Sequence, residues 1–164
     1  MSLTLVLGGA RSGKSALAVK LASEWEGPVT FIATGEAGDD EMAERIRRHR
    51  EERPAEWMTL EEPVELASAL ESAPPDAAVV VDCLSLWVAN VFDDDVEARN
   101  ERAVAAAKKR PRTIVVSNEV GLGVVPVSEL GRRYRDVLGR VNAQWAAAAD
   151  EAFFVVAGKT LRLQ

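Results

Sequence analysis

The octapeptide Gly8-Gly9-Ala10-Arg11-Ser12-Gly13-Lys14-Ser15 constrains this 164-residue chain more than any other stretch. It has the form G-x-x-x-x-G-K-[S/T]. An apolar run at residues 3–7 precedes it, and an Ala/Leu-rich run at 16–25 follows. Strand, glycine-rich turn and helix in that order make a phosphate-binding loop. The glycines let the backbone wrap so that successive N–H groups converge on phosphate oxygens. The helix that follows adds about half a positive charge at its N-terminus. Lys14 then reaches β- and γ-phosphates, and Ser15 offers its hydroxyl to Mg²⁺. The motif predicts that the chain grips a nucleoside triphosphate.

The rest of the chain alternates strand and helix signals, which predicts an α/β fold with a mostly parallel sheet. Further strands are expected at 29–34, 57–60, 77–81, 113–116 and 152–156, with an edge strand at 160–164. Helices are expected at 39–53, 63–70, 83–92, 93–110 and 128–149, with Pro54 and Pro111 as stops. The breaker at 72–76 contains Pro74-Pro75 and is too short to mark a boundary, so one domain over 1–164 is expected.

Composition narrows the setting. No apolar run approaches the ~18–20 residues of a membrane span. The N-terminal apolar residues belong to the first strand rather than to a secretory leader. Cys83 is the only cysteine, which excludes an intrachain disulfide framework and a multi-cysteine zinc site. These features predict a cytoplasmic protein. The net charge of −6 argues against general nucleic-acid binding. Arg45, Arg47, Arg48, Arg50 and Arg53 run against that balance. Interleaved with Glu44, Glu51 and Glu52, they read either as a solvated helix face or as a phosphate-facing cluster.

Three further places carry chemistry. Asp82 closes the strand 77–81, where an acid either helps hold Mg²⁺ or caps the helix that follows. His49, the only histidine, shares a helical face with Arg45 and Arg53. A neutral imidazole there can attack phosphorus and form a phosphoramidate, with the arginines stabilising negative charge; the alternative is a surface histidine. Glu119, in the Gly-containing loop 117–126, is a candidate base or metal-shell acid, or part of an ordinary strand-to-helix connection. The cations at Arg132, Arg133, Arg135 and Arg140 read equally as a substrate-anion surface or a solvated face with Asp136. The four tryptophans are scattered, which points to core packing. From these residues alone, three functions stay open. They are a nucleotidyl-transferring enzyme, a small-molecule kinase and a nucleotide-dependent switch.

The order of the pieces narrows that choice. Ile32-Ala33-Thr34 follows the loop, then Asp39-Asp40-Glu41-Met42, Arg45-Ile46, His49, Arg53-Pro54 and Trp57. Val81-Asp82-Cys83-Leu84 precedes Asn118-Glu119-Val120-Gly121-Leu122-Gly123-Val124-Val125-Pro126. Tyr134-Arg135-Asp136, Gly139-Arg140-Val141-Asn142 and Ala149-Asp150 close the series. Over nearly its whole length the chain resembles the bifunctional adenosylcobinamide kinase/adenosylcobinamide-phosphate guanylyltransferase family.

The resemblance implies a P-loop NTPase-like (RecA-like) fold with helices on both faces of the sheet. It implies ATP- or GTP-dependent phosphorylation of adenosylcobinamide. GMP is then transferred from GTP to adenosylcobinamide phosphate through a guanylyl-histidine, here His49. It also implies nucleotide contacts from Gly8, Gly9, Ala10, Arg11, Ser12, Gly13, Lys14 and Ser15, and from Thr34, Gly35 and Glu36. Arg50, Glu51, Glu52, Arg53, Glu61 and Asp82 complete that set. Mg²⁺ would lie at Ser15 and Asp82, and Glu119 would face the substrate. A homotrimer is implied as well. The chain departs from the family pattern in a shorter segment between Phe92 and Pro111. Arg48 also stands before His49, where some relatives carry a second histidine.

Overall fold

Apolar and β-branched runs become strands, and the alanine-rich or amphipathic runs between them become helices. The computed structural model describes residues 1–51 and 53–164, and of Arg45 the backbone only. The strands are β1 (Ser2–Gly8), β2 (Val29–Ala33), β3 (Met58–Glu61), β4 (Ala78–Asp82), β5 (Arg112–Asn118), β6 (Glu151–Val156) and β7 (Lys159–Leu163). The helices are α1 (Lys14–Ser23), α2 (Asp40–Glu51), α3 (Leu66–Ser72), α4 (Leu84–Asn90), α5 (Val96–Lys108) and α6 (Glu129–Ala148).

Among the described residues seven strands form one sheet in the order β3-β2-β4-β5-β1-β6-β7. All pairings are parallel except β6 with β7. The central strands are apolar on both faces, as a sheet covered on both sides requires. One face carries α1, with Ala18 and Ala22 on Val6, Val80, Ile114 and Val116. The other face carries α3, α4, α5 and α6, with Leu70, Trp87, Ala103, Leu138 and Trp145 around Leu5, Val79 and Val115. Trp87 and Trp145 are fully buried, and their indole N–H groups donate to Val64 O (2.9 Å) and Asn100 Oδ1 (2.7 Å). The expectation of tryptophans in packing roles holds for these two.

Local chemistry sets the differences from the expected bounds. Glu62 Oε1 accepts from the N–H groups of Val64 (3.0 Å) and Glu65 (2.9 Å), holding 62–65 as a turn, so α3 begins at Leu66 rather than Pro63. A turn after α4 separates it from α5, whose first turn is capped by Asp95 accepting from Ala98 N at 3.0 Å. β5 extends two residues past Val116 because Ser117 and Asn118 continue the ladder opposite Leu7 and Gly8. The expected edge strand at the C-terminus forms as β7. It joins β6 through Ala157 (φ 49°) and Gly158 (φ 73°), a two-residue hairpin turn.

The parallel strands all point their C-terminal ends to one edge. The octapeptide after β1, Thr34 after β2, Asp82 of β4 and Asn118 of β5 therefore meet there, as ligand-binding residues do in open α/β sheets.

Candidate active site

The phosphate loop owes its path to two glycines in particular. A Cβ on Gly8 would lie 2.4 Å from Ser12 Oγ and 2.8 Å from Val155 O, so no larger residue fits without moving backbone. Gly13 has φ 99°, a left-handed conformation that turns the chain into α1. Arg11, also left-handed at φ 53°, is exposed at the loop's outer curve. The hairpin turn between β6 and β7 holds the loop from outside, Gly158 N donating to Ser12 O at 2.8 Å. Lys14 is buried, and its Nζ donates to Gly9 O at 2.9 Å. Ser12 Oγ is buried with no hydrogen-bond partner among the described residues, an unspent polar atom inside the loop.

A cavity of about 560 Å³ opens above this loop. Arg11, Ser12, Gly13, Lys14 and Ser15 form one wall, and Phe31, Ala33 and Gly35 come from the β2 end. Asp82, Cys83, Leu86 and Asn118 come from β4, α4 and β5. The remaining wall is α2. Met42, Ile46 and His49 recur at helical spacing and line the cavity, with Arg53 continuing the same face just beyond the helix. Among the described residues, none of α2 belongs to either core cluster. Its apolar Met42 and Ile46 face the cavity rather than the sheet.

Asp82 sits at the cavity floor. Burial pushes its carboxyl above the ordinary aspartate value; a hydrogen bond from Ser15 and the positive fields of His49, Lys14 and Arg53 oppose that push. The residue at the N-cap of α4 is Cys83, without a side-chain cap bond, so capping is not what Asp82 does. Arg53 lies flat on Phe31, its guanidinium carbon 3.8 Å from the ring centre, and its Nε donates to His49 O at 2.9 Å. Desolvation lowers its pKa. The Cys83 thiol is pushed up by burial and by Asp82, which keeps it protonated.

The basic cluster divides. Arg47 pairs with Glu51 and with Glu44, which also lines the cavity, as Arg48 and Arg53 do. Of the other residues that the resemblance implies, Thr34 is buried and its hydroxyl is engaged by Cys83. Gly35 lines the cavity. Ala10 and Glu36 are exposed, and neither is among the lining residues. Arg50 and Glu61 pair with each other at 3.8 Å on the outer side. Glu51 is bound by Arg47, and Glu52 lies outside the described residues. Glu119 Oε1 accepts from Gly121 N at 2.6 Å and shapes its own loop. Arg132 donates to the carbonyls of Pro126 and Val127, Arg133 stacks on Phe92, and Arg135 pairs with Asp136. These three cations thus serve local structure, and neither they nor Arg140 line the cavity.

The family described as "Cobinamide kinase / cobinamide phosphate guanyltransferase" matches residues 4–163. The chain belongs to that family. It is 47% identical to the bifunctional adenosylcobalamin biosynthesis protein CobP of Pseudomonas aeruginosa, over 98% of this chain and 96% of that one. It is 37% identical to the bifunctional adenosylcobalamin biosynthesis protein CobU of Escherichia coli, over 99% of both. Among solved structures it superposes on the flagellar accessory protein FlaH of Methanocaldococcus jannaschii with TM-score 0.57 and 14% identity, covering 97% of this chain and 74% of that one. That likeness concerns the fold, which is the expected P-loop NTPase-like one. As a member of the cobinamide kinase/guanyltransferase family, the chain is a bifunctional enzyme of adenosylcobalamin biosynthesis.

The octapeptide, Asp82 and His49 were legible in sequence. Phe31, Met42, Leu86 and Asn118 were not assigned to the site. Their only signal was position: Phe31 and Leu86 sit on apolar runs that equally suit a core, and Met42 is an isolated apolar residue of a polar helix. Asn118 is the last residue of a strand that ends beside the loop.

Proposed function

We propose that this chain phosphorylates adenosylcobinamide and then guanylylates the phosphate product through His49. One observation carries the reading: His49 and the phosphate loop line the same cavity. A triphosphate gripped by Gly8–Ser15 would therefore face both an imidazole and open solvent. For γ-phosphoryl transfer, the loop and Lys14 hold the triphosphate and offset charge while the corrinoid hydroxyl attacks. The protein's part is positioning and electrostatics. For guanylyl transfer, an imidazole nitrogen of His49 attacks the α-phosphorus. The bond to the bridging oxygen breaks, and pyrophosphate leaves in the grip of the loop. An oxygen of the corrinoid phosphate then attacks the histidine-bound phosphorus, and the P–N bond breaks, restoring the histidine and giving adenosylcobinamide-GDP. Arg53, on the His49 wall, stabilises charge on the phosphate oxygens, and Arg50 joins it only by leaving its outer pairing with Glu61.

Ser15 and Asp82 would hold Mg²⁺, which supplies neutralising charge at the phosphates. Their chemistry fits this ion. The acid at the cavity floor is crowded and carries the hydroxyl of Ser15 as its hydrogen-bond partner. Among the described residues no group of three or more His, Cys, Asp or Glu forms a metal cage. Mg²⁺ suits such a sparse site, because it keeps several waters and shares its shell with substrate phosphates. GTP is the guanylyl donor, and ATP or GTP is the phosphoryl donor.

The remaining features support an oligomeric enzyme of the cytoplasm working as one domain over 1–164. Among the described residues no helix is long and apolar enough to cross a membrane. The segment after β5 exposes Val120, Leu122, Val124, Val125, Val127 and Leu130, with Val124 94% and Val127 100% exposed. An apolar patch of that kind marks an association surface, in line with the homotrimer implied by the family resemblance.

Incubation with α-labelled GTP followed by denaturation tests the reading. Acid-labile, base-stable label on the protein is expected, and His49→Ala abolishes it while corrinoid phosphorylation continues. Corrinoid phosphorylation without protein-bound label would reduce the enzyme to a kinase. Nucleotide binding with neither activity would reduce it to a switch.

A further inference from the structure

Asn118 is the one cavity-lining residue contributed by β5, and it is held more firmly than a solvent-facing side chain needs to be. Its Nδ2 donates to Ser85 Oγ at 2.7 Å. Its backbone carbonyl accepts from Asn142 Nδ2 at 3.0 Å, and Asn142 Oδ1 accepts in turn from Ser117 Oγ at 2.6 Å. The next residue, Glu119, donates its N–H to Gly8 O at 3.1 Å, which ties the end of β5 to the start of the phosphate loop. Ser85 is itself fixed. Its hydroxyl lies 3.0 Å from Cys83 Sγ, and its carbonyl accepts from Tyr134 Oη at 2.7 Å. Burial pushes that phenol up to about 12, so it remains a donor across the working pH range.

These bonds orient one carboxamide. With Nδ2 committed to Ser85, the acceptor Oδ1 is the atom left over, and among the described residues nothing donates to it. Sheet register then gives its height. Asp82 of β4 pairs with Val116, whereas Asn118 pairs with Gly8. Asn118 therefore stands two residues beyond the level of the proposed Mg²⁺ site, or about 6–7 Å further out along the strand. It is also on the far side of β4 from β2 and α2. A second substrate approaching the terminal phosphate from solvent would pass this acceptor, whereas the imidazole of His49 attacks from the α2 wall.

We propose that Asn118 Oδ1 accepts a hydrogen bond from the attacking hydroxyl of the corrinoid substrate and so positions it for the kinase step. The inference rests on the bifunctional reading above. A neutral carboxamide is too weak a base to take the proton, which passes to an oxygen of the transferred phosphoryl group as the bridging P–O bond breaks and the nucleoside diphosphate leaves. Phosphoryl transfer through a loose transition state asks mainly for a nucleophile aligned with the phosphorus, which a fixed acceptor supplies. Asn118 is thus a positioning residue for one of the two reactions, and Ser85 fixes its orientation.

The test compares both half-reactions in the same full-length protein, with adenosylcobinamide as acceptor. Asn118→Ala lowers kinase kcat by about tenfold to a hundredfold. The rate of GMP labelling at His49 and the Mg²⁺ concentration for half-maximal activity stay within twofold. Ser85→Ala, which leaves Oδ1 in place but frees the amide to turn, lowers kinase kcat by less. Thermal unfolding of both variants separates a folding defect, which would depress labelling as well. A parallel fall in both activities, a raised Mg²⁺ requirement, or an unchanged kinase rate would each overturn the proposal. A wild-type protein that never phosphorylates the corrinoid would instead overturn the functional reading on which it rests.

Discussion

Thr34 and Cys83 are joined twice through one hydroxyl: Thr34 Oγ1 accepts from Cys83 N at 2.9 Å and donates to Cys83 O at 2.7 Å. Thr34 is wholly buried, so its hydroxyl serves the fold at the point where β2 and β4 deliver their ends to the cavity. The brace holds the backbone immediately after Asp82. Thr34→Val keeps the shape but removes both bonds and leaves the buried N–H and carbonyl of Cys83 without those partners. A loss of about 2–4 kcal/mol is expected. Denaturant titration measures it. Mg²⁺-dependent turnover falls with it, because Asp82 loses its fixed neighbour. Full stability in Thr34→Val would mean that the hydroxyl is dispensable and free to serve a ligand.

Asp82 gives a pH-dependent prediction. Burial raises its pKa above the ordinary value of 3.8 despite Ser15, His49, Lys14 and Arg53. A carboxyl with a raised folded pKa holds its proton more tightly when folded. Its stabilising effect is therefore intact below the ordinary aspartate range and is lost as pH climbs through the raised value. Near neutral pH the ionised group costs stability. Asp82→Asn should then melt higher than wild type at pH 7, by roughly 2–4 °C for each kcal/mol relieved. The two curves converge as pH falls toward 4. Addition of Mg²⁺ and GTP reverses the order, since only the carboxylate gains from the ion. A variant that melts lower at every pH would show that the surrounding cations outweigh the burial cost.

What the sequence disclosed follows from how local each signal is. The phosphate loop, the strand ending in Asp82 and the helix that carries His49 depend on neighbours a few residues away, and all three elements formed. Sites assembled by register were not legible. Nothing near Asn118 in the chain announces that β5 runs beside β1, which brings its carboxamide to the cavity wall. Likewise Ala157-Gly158 is a short turn in sequence, and only the β1–β6 pairing places it against Ser12. Phe31 looked like a core residue of β2. It is one, yet its ring also carries the guanidinium of Arg53.

Arg50 and Glu61 offer a separation of binding from stability. Their side chains are 64% and 68% exposed and 3.8 Å apart, so their pairing adds little to folding. Arg50→Ala and Glu61→Ala should each leave the melting temperature within about 1 °C of wild type. If both residues contact the nucleotide as the family resemblance implies, each substitution raises KM for GTP in the guanylyl half-reaction. Isothermal titration with GTP checks this directly. An unchanged GTP affinity in both variants would confine the pair to the surface.

The hairpin turn beyond β6 should control the phosphate loop through backbone conformation alone. Gly158 has φ 73°, a Cβ there would meet nothing within 4 Å, and its N–H donates to Ser12 O at 2.8 Å. Substitution therefore tests backbone strain without a steric clash. Asn tolerates the left-handed region, Ala pays about 1 kcal/mol, and a β-branched residue pays more. Stability should fall in the order Gly158, Gly158→Asn, Gly158→Ala, Gly158→Val. GTP affinity should follow the same order, because a turn that leaves its conformation releases Ser12 and loosens the wall that holds the phosphates. Fluorescence titration with a GTP analogue, set beside melting temperatures for the series, reads both quantities. Affinity that stays constant while stability declines would show that the loop keeps its shape without the hairpin.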